Sequence, residues 1–224
     1  MDSNFEDKYV TLERNWWWFV GRRELLLHII NQIKYNKVIE IGCGSAEMSN
    51  YLTNYTGIDI SPKTCKGILG DAHKLPIKDC SVDLILLLDI LEHTDDKVVM
   101  KEIHRIIKPN GHVIITVPAF NFLWSQHDID NCHKRRYERG SLPFNNFTIK
   151  WFTYWNGIMF PLMFLMKKKK NQLTTLPNYI NYILTKTLRT ENWLIKHNIK
   201  IPIGVSLIYL LESKNESNTL EFLS

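Results

Sequence analysis

The sequence predicts an α/β protein built on a mostly parallel sheet, and three observations carry that expectation. Short apolar runs alternate with stretches of helical spacing along the first half of the chain. One of these runs, Val82-Asp83-Leu84-Ile85-Leu86-Leu87-Leu88, is nearly continuous, as a central strand covered on both faces should be. Another, Lys37-Val38-Ile39, leads directly into Glu40-Ile41-Gly42-Cys43-Gly44, a strand that ends in a Gly-x-Gly turn before a helix. Such a turn brings the backbone close to a ligand without a Cβ in the way.

The charges around that loop select among nucleotide cofactors. A dinucleotide fingerprint places a third glycine three residues after the second, at position 47. Glu47 stands there, and Glu40 precedes the turn. Two carboxylates would repel a pyrophosphate but suit a cofactor that carries positive charge, such as the sulfonium and ammonium of S-adenosylmethionine. Thr56 to Ser61 then reads as a second strand ending in Asp59, the usual place for a carboxylate that takes both ribose hydroxyls. A short third strand precedes Gly70-Asp71-Ala72. After Val82–Leu88 come Asp89-Ile90-Leu91-Glu92-His93, and then a helix begun by Asp95 and Asp96 with Lys101, Arg105 and Lys108 toward its end. Pro109-Asn110-Gly111 is a turn, and His112 to Pro118 a fifth strand.

From Val38 to Pro118 the string resembles class I, Rossmann-like methyltransferases of the "methyltransferase 11" type. The resemblance rests on Glu40-x-Gly42-Cys43-Gly44, Gly57-x-Asp59, Gly70-Asp71-Ala72-x-x-Leu75-Pro76, Asp83-Leu84-Ile85, Leu91-Glu92-His93 and Glu102-Ile103-x-Arg105-x-x-Lys108-Pro109-x-Gly111. It implies a doubly wound seven-stranded sheet with an antiparallel last strand. S-adenosylmethionine is then the cofactor and S-adenosylhomocysteine the product. The resemblance also assigns contacts: Glu40, Gly42, Cys43 and Gly44 at the methionine end, Asp59 on the ribose, Ile60 on the adenine face. Asp71 and Ala72 meet the adenine edge, and Asp89 and Leu91 lie between cofactor and substrate. Ala46 stands where a glycine is common.

The chain has 224 residues, 45% of them hydrophobic, and a net charge of +5, which fits one domain and calls for no nucleic acid. Met1 to Arg14 is polar and acidic, without a signal region. Cys43, Cys65, Cys80 and Cys132 are scattered without zinc or disulfide spacing, so reduced thiols and a cytoplasmic setting are expected. The expected organisation is a single domain over 1–224: a lid helix in 1–36, the cofactor core in 37–155, a helical insertion in 156–202, and the last strand and tail in 203–224.

Three stretches depart from a minimal domain. Asn15-Trp16-Trp17-Trp18-Phe19-Val20-Gly21-Arg22-Arg23 opens an aromatic helix with Leu26, Leu27, Ile30 and Ile33 at helical spacing. It either packs on the sheet edge or, as in the family, covers the cofactor, with Trp18 against it and Arg22 or Arg23 on the methionine carboxylate. The loop after the fifth strand concentrates Trp124, His127, Asp128, His133, Arg135, Arg136 and Tyr137. There His127 or His133 is expected as general base, oriented by Asp128, with His93 as a further candidate. Trp124, Arg135, Arg136 and Tyr137 are expected to hold the acceptor. A divalent metal shared with Glu92 and His93 is the alternative. His127 and His133 lack a standard zinc spacing, so no metal is expected.

The third stretch separates a strand at Phe147–Trp155 from another at Gly204–Glu212. It holds an apolar run from Gly157 to Met166, too short for a bilayer span of about 20 residues, followed by Lys167 to Lys170. That pairing suggests peripheral contact with an anionic membrane, on its inner face, through 157–170. Pro177 to His197 reads as one or two amphipathic helices with Tyr179, Ile183, Leu184, Leu188 and Trp193 inward. The resulting expectation is O-methylation of a small or lipid-linked acceptor, such as a quinone precursor or a polyprenyl-linked sugar. RNA or protein methylation, or a non-catalytic cofactor-binding or docking module, are the alternatives.

Overall fold

Val82–Leu88 is the spine of the molecule: Val82 and Leu84 to Leu87 are fully buried, because parallel neighbours and flanking layers leave this strand no wet face. A computed structural model describes residues 12–62, 67–166 and 176–214. The strands are β1 (Val38–Ile41), β2 (Tyr55–Asp59), β3 (Ile68–Leu69), β4 (Val82–Leu88), β5 (Ile107–Pro118), β6 (Phe147–Trp155) and β7 (Ser206–Ser213). They form a seven-stranded, mostly parallel sheet in the order β3-β2-β1-β4-β5-β7-β6, with the last strand antiparallel. β1 pairs in parallel with β2 on one side and β4 on the other, Glu40 lying opposite Gly57 and Leu86. The strand order reverses at β1, the place where open α/β sheets bind ligands.

The helices are α1 (Trp17–Ile30), α2 (Asp96–Ile106), α3 (Gln126–Asp130), α4 (Phe160–Met166) and α5 (Asn178–Lys196). Asp95 caps α2, its side chain accepting from the amides of Lys97 and Val98. Val99, Met100, Ile103 and Ile106 form the buried stripe of that helix. The helix stops at Ile106, so Lys108 lies in β5 rather than in the last helical turn. There its Nζ meets Asp83 Oδ1 at 2.7 Å. The expected Pro109–Gly111 turn is a kink within β5, made by Asn110 in the left-handed region at φ 60°.

The chain divides into two compact units. The sheet unit comprises 35–117, 139–152 and 208–224, and the helical unit 1–34, 118–138 and 153–207. In the helical unit α1 lies against α5, and a Cβ on Gly21 would come within 2.9 Å of Leu188 Cβ. Asn192 bridges the contact: its Nδ2 donates to Gly21 O at 2.8 Å, and its Oδ1 accepts from Trp155 Nε1 at 3.0 Å. Glu24 and Arg189 pair across the same helices. The expected inward face of α5 holds at Leu188 and is corrected at three other positions. Tyr179, Ile183 and Trp193 are 66%, 57% and 56% exposed, whereas Leu188, Glu191, Asn192 and Ile195 are buried at i, i+3, i+4 and i+7. Two polar residues take core positions because they pair with buried donors that apolar side chains would leave without a partner. Besides the Asn192 bonds, the Glu191 carboxylate accepts from the amides of Gly157 and Ile158 at 3.1 and 2.9 Å.

Candidate functional site

Within the sheet unit, the carboxyl ends of β1, β2 and β4 carry the Gly-x-Gly loop and its partners. The Gly42 and Cys43 amides both donate to Ile58 O, at 2.8 and 3.2 Å, which ties the turn to β2. Gly42 sits at φ 73°, and a Cβ there would lie 2.7 Å from Ile90 Cδ1, so only glycine lets the turn close against the β4 end. Ala46, where a glycine is common, holds φ 57° and ψ 38°; the left-handed backbone is the reason for that preference. The loop opens into a single 3-10 turn, Glu47–Asn50.

The carboxylates are held rather than loose. Glu40 is buried, and Tyr55 Oη donates to its Oε2 at 2.5 Å. Asp59 Oδ2 accepts from the Gly44 amide at 2.8 Å and Oδ1 from the Ser61 amide at 2.8 Å, which leaves further lone pairs on both oxygens. Ile60, next along, is 71% exposed, an aliphatic surface turned to solvent at the end of β2. Asp71 Oδ1 accepts from the His73 amide at 2.9 Å and lies 2.6 Å from His73 Nδ1. The first of these bonds is the main cause that lowers the Asp71 carboxyl below its ordinary range. His73 Nε2 accepts from the Asp95 amide at 3.2 Å, which assigns the ring proton to Nδ1. Ala72 and Leu91 are buried. Asp89 sits at φ 54°, its Oδ1 accepting from Thr116 Oγ1 at 2.9 Å.

The motif around Glu102 and Arg105 braces this loop. Glu102 Oε1 accepts from the Leu75 amide at 2.7 Å, while Arg105 donates to Ile77 O and Leu75 O at 2.8 and 3.1 Å and pairs with Asp79 and Glu102. His93 ends the 3-10 turn Leu91–His93 in this same unit.

The helical unit holds the second cluster, on α3 and the segment after it. Asp128 is fully buried and accepts from Arg136 Nε at 2.7 Å, Arg136 Nη2 at 3.0 Å, the Ser125 amide at 2.8 Å and Ser125 Oγ at 3.1 Å. His133 Nδ1 lies 2.9 Å from Asp128 Oδ1. Burial alone would push the Asp128 carboxyl up, but His133 and Arg136 outweigh it and hold the group well below the usual carboxylate range. The geometry therefore separates the two histidines: His133 has the oriented carboxylate partner, and His127 is exposed and turned to Asn131.

Arg136 and Tyr137, two of the expected acceptor contacts, are buried. Arg136 spends its guanidinium on Asp128 and on Ala119 O at 3.1 Å, and Tyr137 is 2% exposed. Trp124 is 37% exposed and Arg135 half-buried. Trp18 packs edge-on against Trp155 at 4.9 Å, and the Arg22 guanidinium lies 5.3 Å from the Phe19 ring. Lys167–Lys170 and Cys65 lie outside the described residues.

Sequence reading missed Tyr55, Thr116 and His73, which no local pattern marks. The Ser125-x-x-Asp128 capping box was legible and passed over.

Sheet order, the glycine turn at the reversal point and the acid ending β2 are those of a Rossmann-like methyltransferase fold. Residues 39–115 match the family described as a methyltransferase domain. An uncharacterized protein of Methanocaldococcus jannaschii is 30% identical over 119 residues, 49% of this chain and 47% of that protein. The ubiquinone biosynthesis O-methyltransferase of Pseudomonas aeruginosa is 26% identical over 142 residues, 49% of this chain and 60% of the enzyme. The chain thus spans about half the length of the curated relatives it matches. A chain from the complex of the Haloferax volcanii Trm112 methyltransferase activator with a methyltransferase superposes with a TM-score of 0.63 at 16% identity. That match covers 95% of this chain and 96% of the other, and it shows a shared fold.

Proposed function

We propose that this chain is an S-adenosylmethionine-dependent methyltransferase acting on an oxygen of a small or lipid-linked acceptor, such as a quinone precursor or a polyprenyl-linked sugar. The observation that carries the reading is the loop after β1. Gly42 holds a left-handed backbone packed against Ile90 that a side chain would forbid, Asp59 anchors the Gly44 amide, and both Asp59 oxygens keep lone pairs for ribose hydroxyls. The exposed Ile60 supplies an apolar face for adenine, and the Asp71 carboxylate an acceptor for its exocyclic amine. When bound, the cofactor supplies a methyl group already activated on a sulfonium, so the protein's work is alignment and proton removal. His133 is the base, with Asp128 fixing its ring and compensating the charge it gains. The likeness to the Pseudomonas ubiquinone biosynthesis O-methyltransferase supports an oxygen acceptor of quinone type.

Calorimetric titration with S-adenosylmethionine, S-adenosylhomocysteine and NAD tests the cofactor. Micromolar binding of the first two, lost in folded Asp59→Ala, supports the reading, and NAD binding alone would overturn it. Methyl transfer to demethylated quinone precursors, abolished in His133→Ala but not in His127→Ala, tests the base.

The exposed surface of α4 favours a second reading, peripheral contact with an anionic membrane through 157–170. Leu162 and Leu165 are 47% and 76% exposed, and four lysines follow in sequence. No helix among the described residues is long and apolar enough to cross a membrane. Salt-sensitive sedimentation with phosphatidylglycerol vesicles, weakened in Leu165→Ser, is the expected result; vesicle binding indifferent to both would remove this reading.

A further inference from the structure

The acid that leads into the Gly-x-Gly turn is held by a tyrosine from the neighbouring strand. Glu40 lies opposite Gly57 in the parallel pairing of β1 and β2, and Tyr55 stands two residues before Gly57, on the same face of the sheet. The Tyr55 side chain leans along its strand, and its hydroxyl donates to Glu40 Oε2 at 2.5 Å. That separation is in the range of a hydroxyl donating to an ionised carboxylate, one of the stronger kinds of hydrogen bond. Glu40 is only 5% exposed, so protein groups rather than bulk water set the orientation of its carboxylate.

Gly57 is what lets the tyrosine through. A Cβ there would lie 3.1 Å from Tyr55 Oη and 2.6 Å from Cys43 Sγ. The backbone at Gly57 is strand, outside the left-handed region, so the missing side chain serves space and not conformation. The hydroxyl of β2 and the thiol of the turn share that space over a bare Cα. A line of contacts therefore runs from the start of β2 to the Gly-x-Gly loop at the end of β1.

The electrostatics give this line a purpose. A carboxylate withdrawn from water acts strongly on a cation brought beside it, because the surrounding dielectric is low. One that is oriented before the ligand arrives needs no ordering on binding.

We propose that Tyr55 is a positioning residue for the cofactor. Its hydroxyl fixes the Glu40 carboxylate to receive the ammonium of the methionine moiety, and Gly57 is bare so that the hydroxyl can reach. The assignment rests on the methyltransferase reading and adds to it a residue that no local motif marks.

Calorimetry on the full chain tests this with S-adenosylhomocysteine and 5′-methylthioadenosine, which share the nucleoside, while only the first carries the ammonium. Tyr55→Phe keeps the ring and removes the hydroxyl. The expected result is a loss of about tenfold or more for S-adenosylhomocysteine, with 5′-methylthioadenosine unchanged. Adding Tyr55→Phe to Glu40→Ala should cost no further affinity, since the hydroxyl acts through that carboxylate. Equal losses for the two probes, which a loosened loop would give, overturn the proposal. So does undiminished affinity for S-adenosylhomocysteine, or a further loss in the double variant. A wild type that binds neither probe would sink the methyltransferase reading and the role of Tyr55 with it. A wild type that binds both, with Tyr55→Phe indistinguishable from it, would sink the role of Tyr55 alone.

Discussion

Replacing Asp128 by alanine removes the acceptor for five hydrogen bonds inside the helical unit and leaves the Arg136 guanidinium without its carboxylate. Arg136 and Asp128 side chains are only 7% and 0% exposed, so water cannot take over without opening the loop. Breaking a buried pair of this kind costs about 3–5 kcal/mol. With a urea dependence of about 1–3 kcal/mol per molar, the unfolding midpoint should fall by roughly 2 M. Asp128→Asn keeps one oxygen acceptor but loses the charge, and should cost about half as much. Because the folded carboxyl is the stronger acid, its stabilisation is fully present above about pH 4, the ordinary unfolded value. It drains away as the pH falls below that, so the wild type and Asp128→Asn should converge on acidification. Urea titrations followed by circular dichroism at pH 7 and at about pH 3 read both effects. A loss below about 1 kcal/mol for Asp128→Ala, or a gap that widens in acid, would refute the reasoning.

Three further outcomes follow from single positions. Gly42→Ala forces a Cβ to within 2.7 Å of Ile90 Cδ1 at φ 73°, and S-adenosylmethionine affinity measured by calorimetry should fall about tenfold or more. Ala46→Gly relieves a left-handed alanine and should raise the thermal midpoint by about 2 °C; a fall would mean that the buried methyl outweighs the backbone strain. Asn192→Leu strands the buried Trp155 Nε1 and should cost about 1–3 kcal/mol in thermal or urea unfolding, with an unchanged midpoint counting against the bridge.

The site was legible in the sequence where the backbone dictates the residue. Gly42 is required by a positive φ and a close neighbour, and Asp59 by its position at the end of a parallel strand. Both leave a local signature. His133 and Arg136 were recognisable as a polar cluster, but not their division of labour. The carboxylate of Asp128 lies within reach of both, and only the folded loop shows that Arg136 is consumed by it while His133 is oriented by it.

By itself the chain determined the order of strands and helices, the cofactor loop and the class of fold, because periodicity and strand-end chemistry are local properties. The tertiary structure decided which face of α5 is buried. Hydrophobic spacing pointed to Tyr179, Ile183, Leu184, Leu188 and Trp193; Leu188 is fully buried, whereas Tyr179, Ile183 and Trp193 are more than half exposed. Glu191 and Asn192 went inside instead, since the amides at 157 and 158 and the Trp155 indole needed partners there. Those unsatisfied groups come from segments distant in sequence, and their demand for hydrogen bonds exists only once the chain has folded.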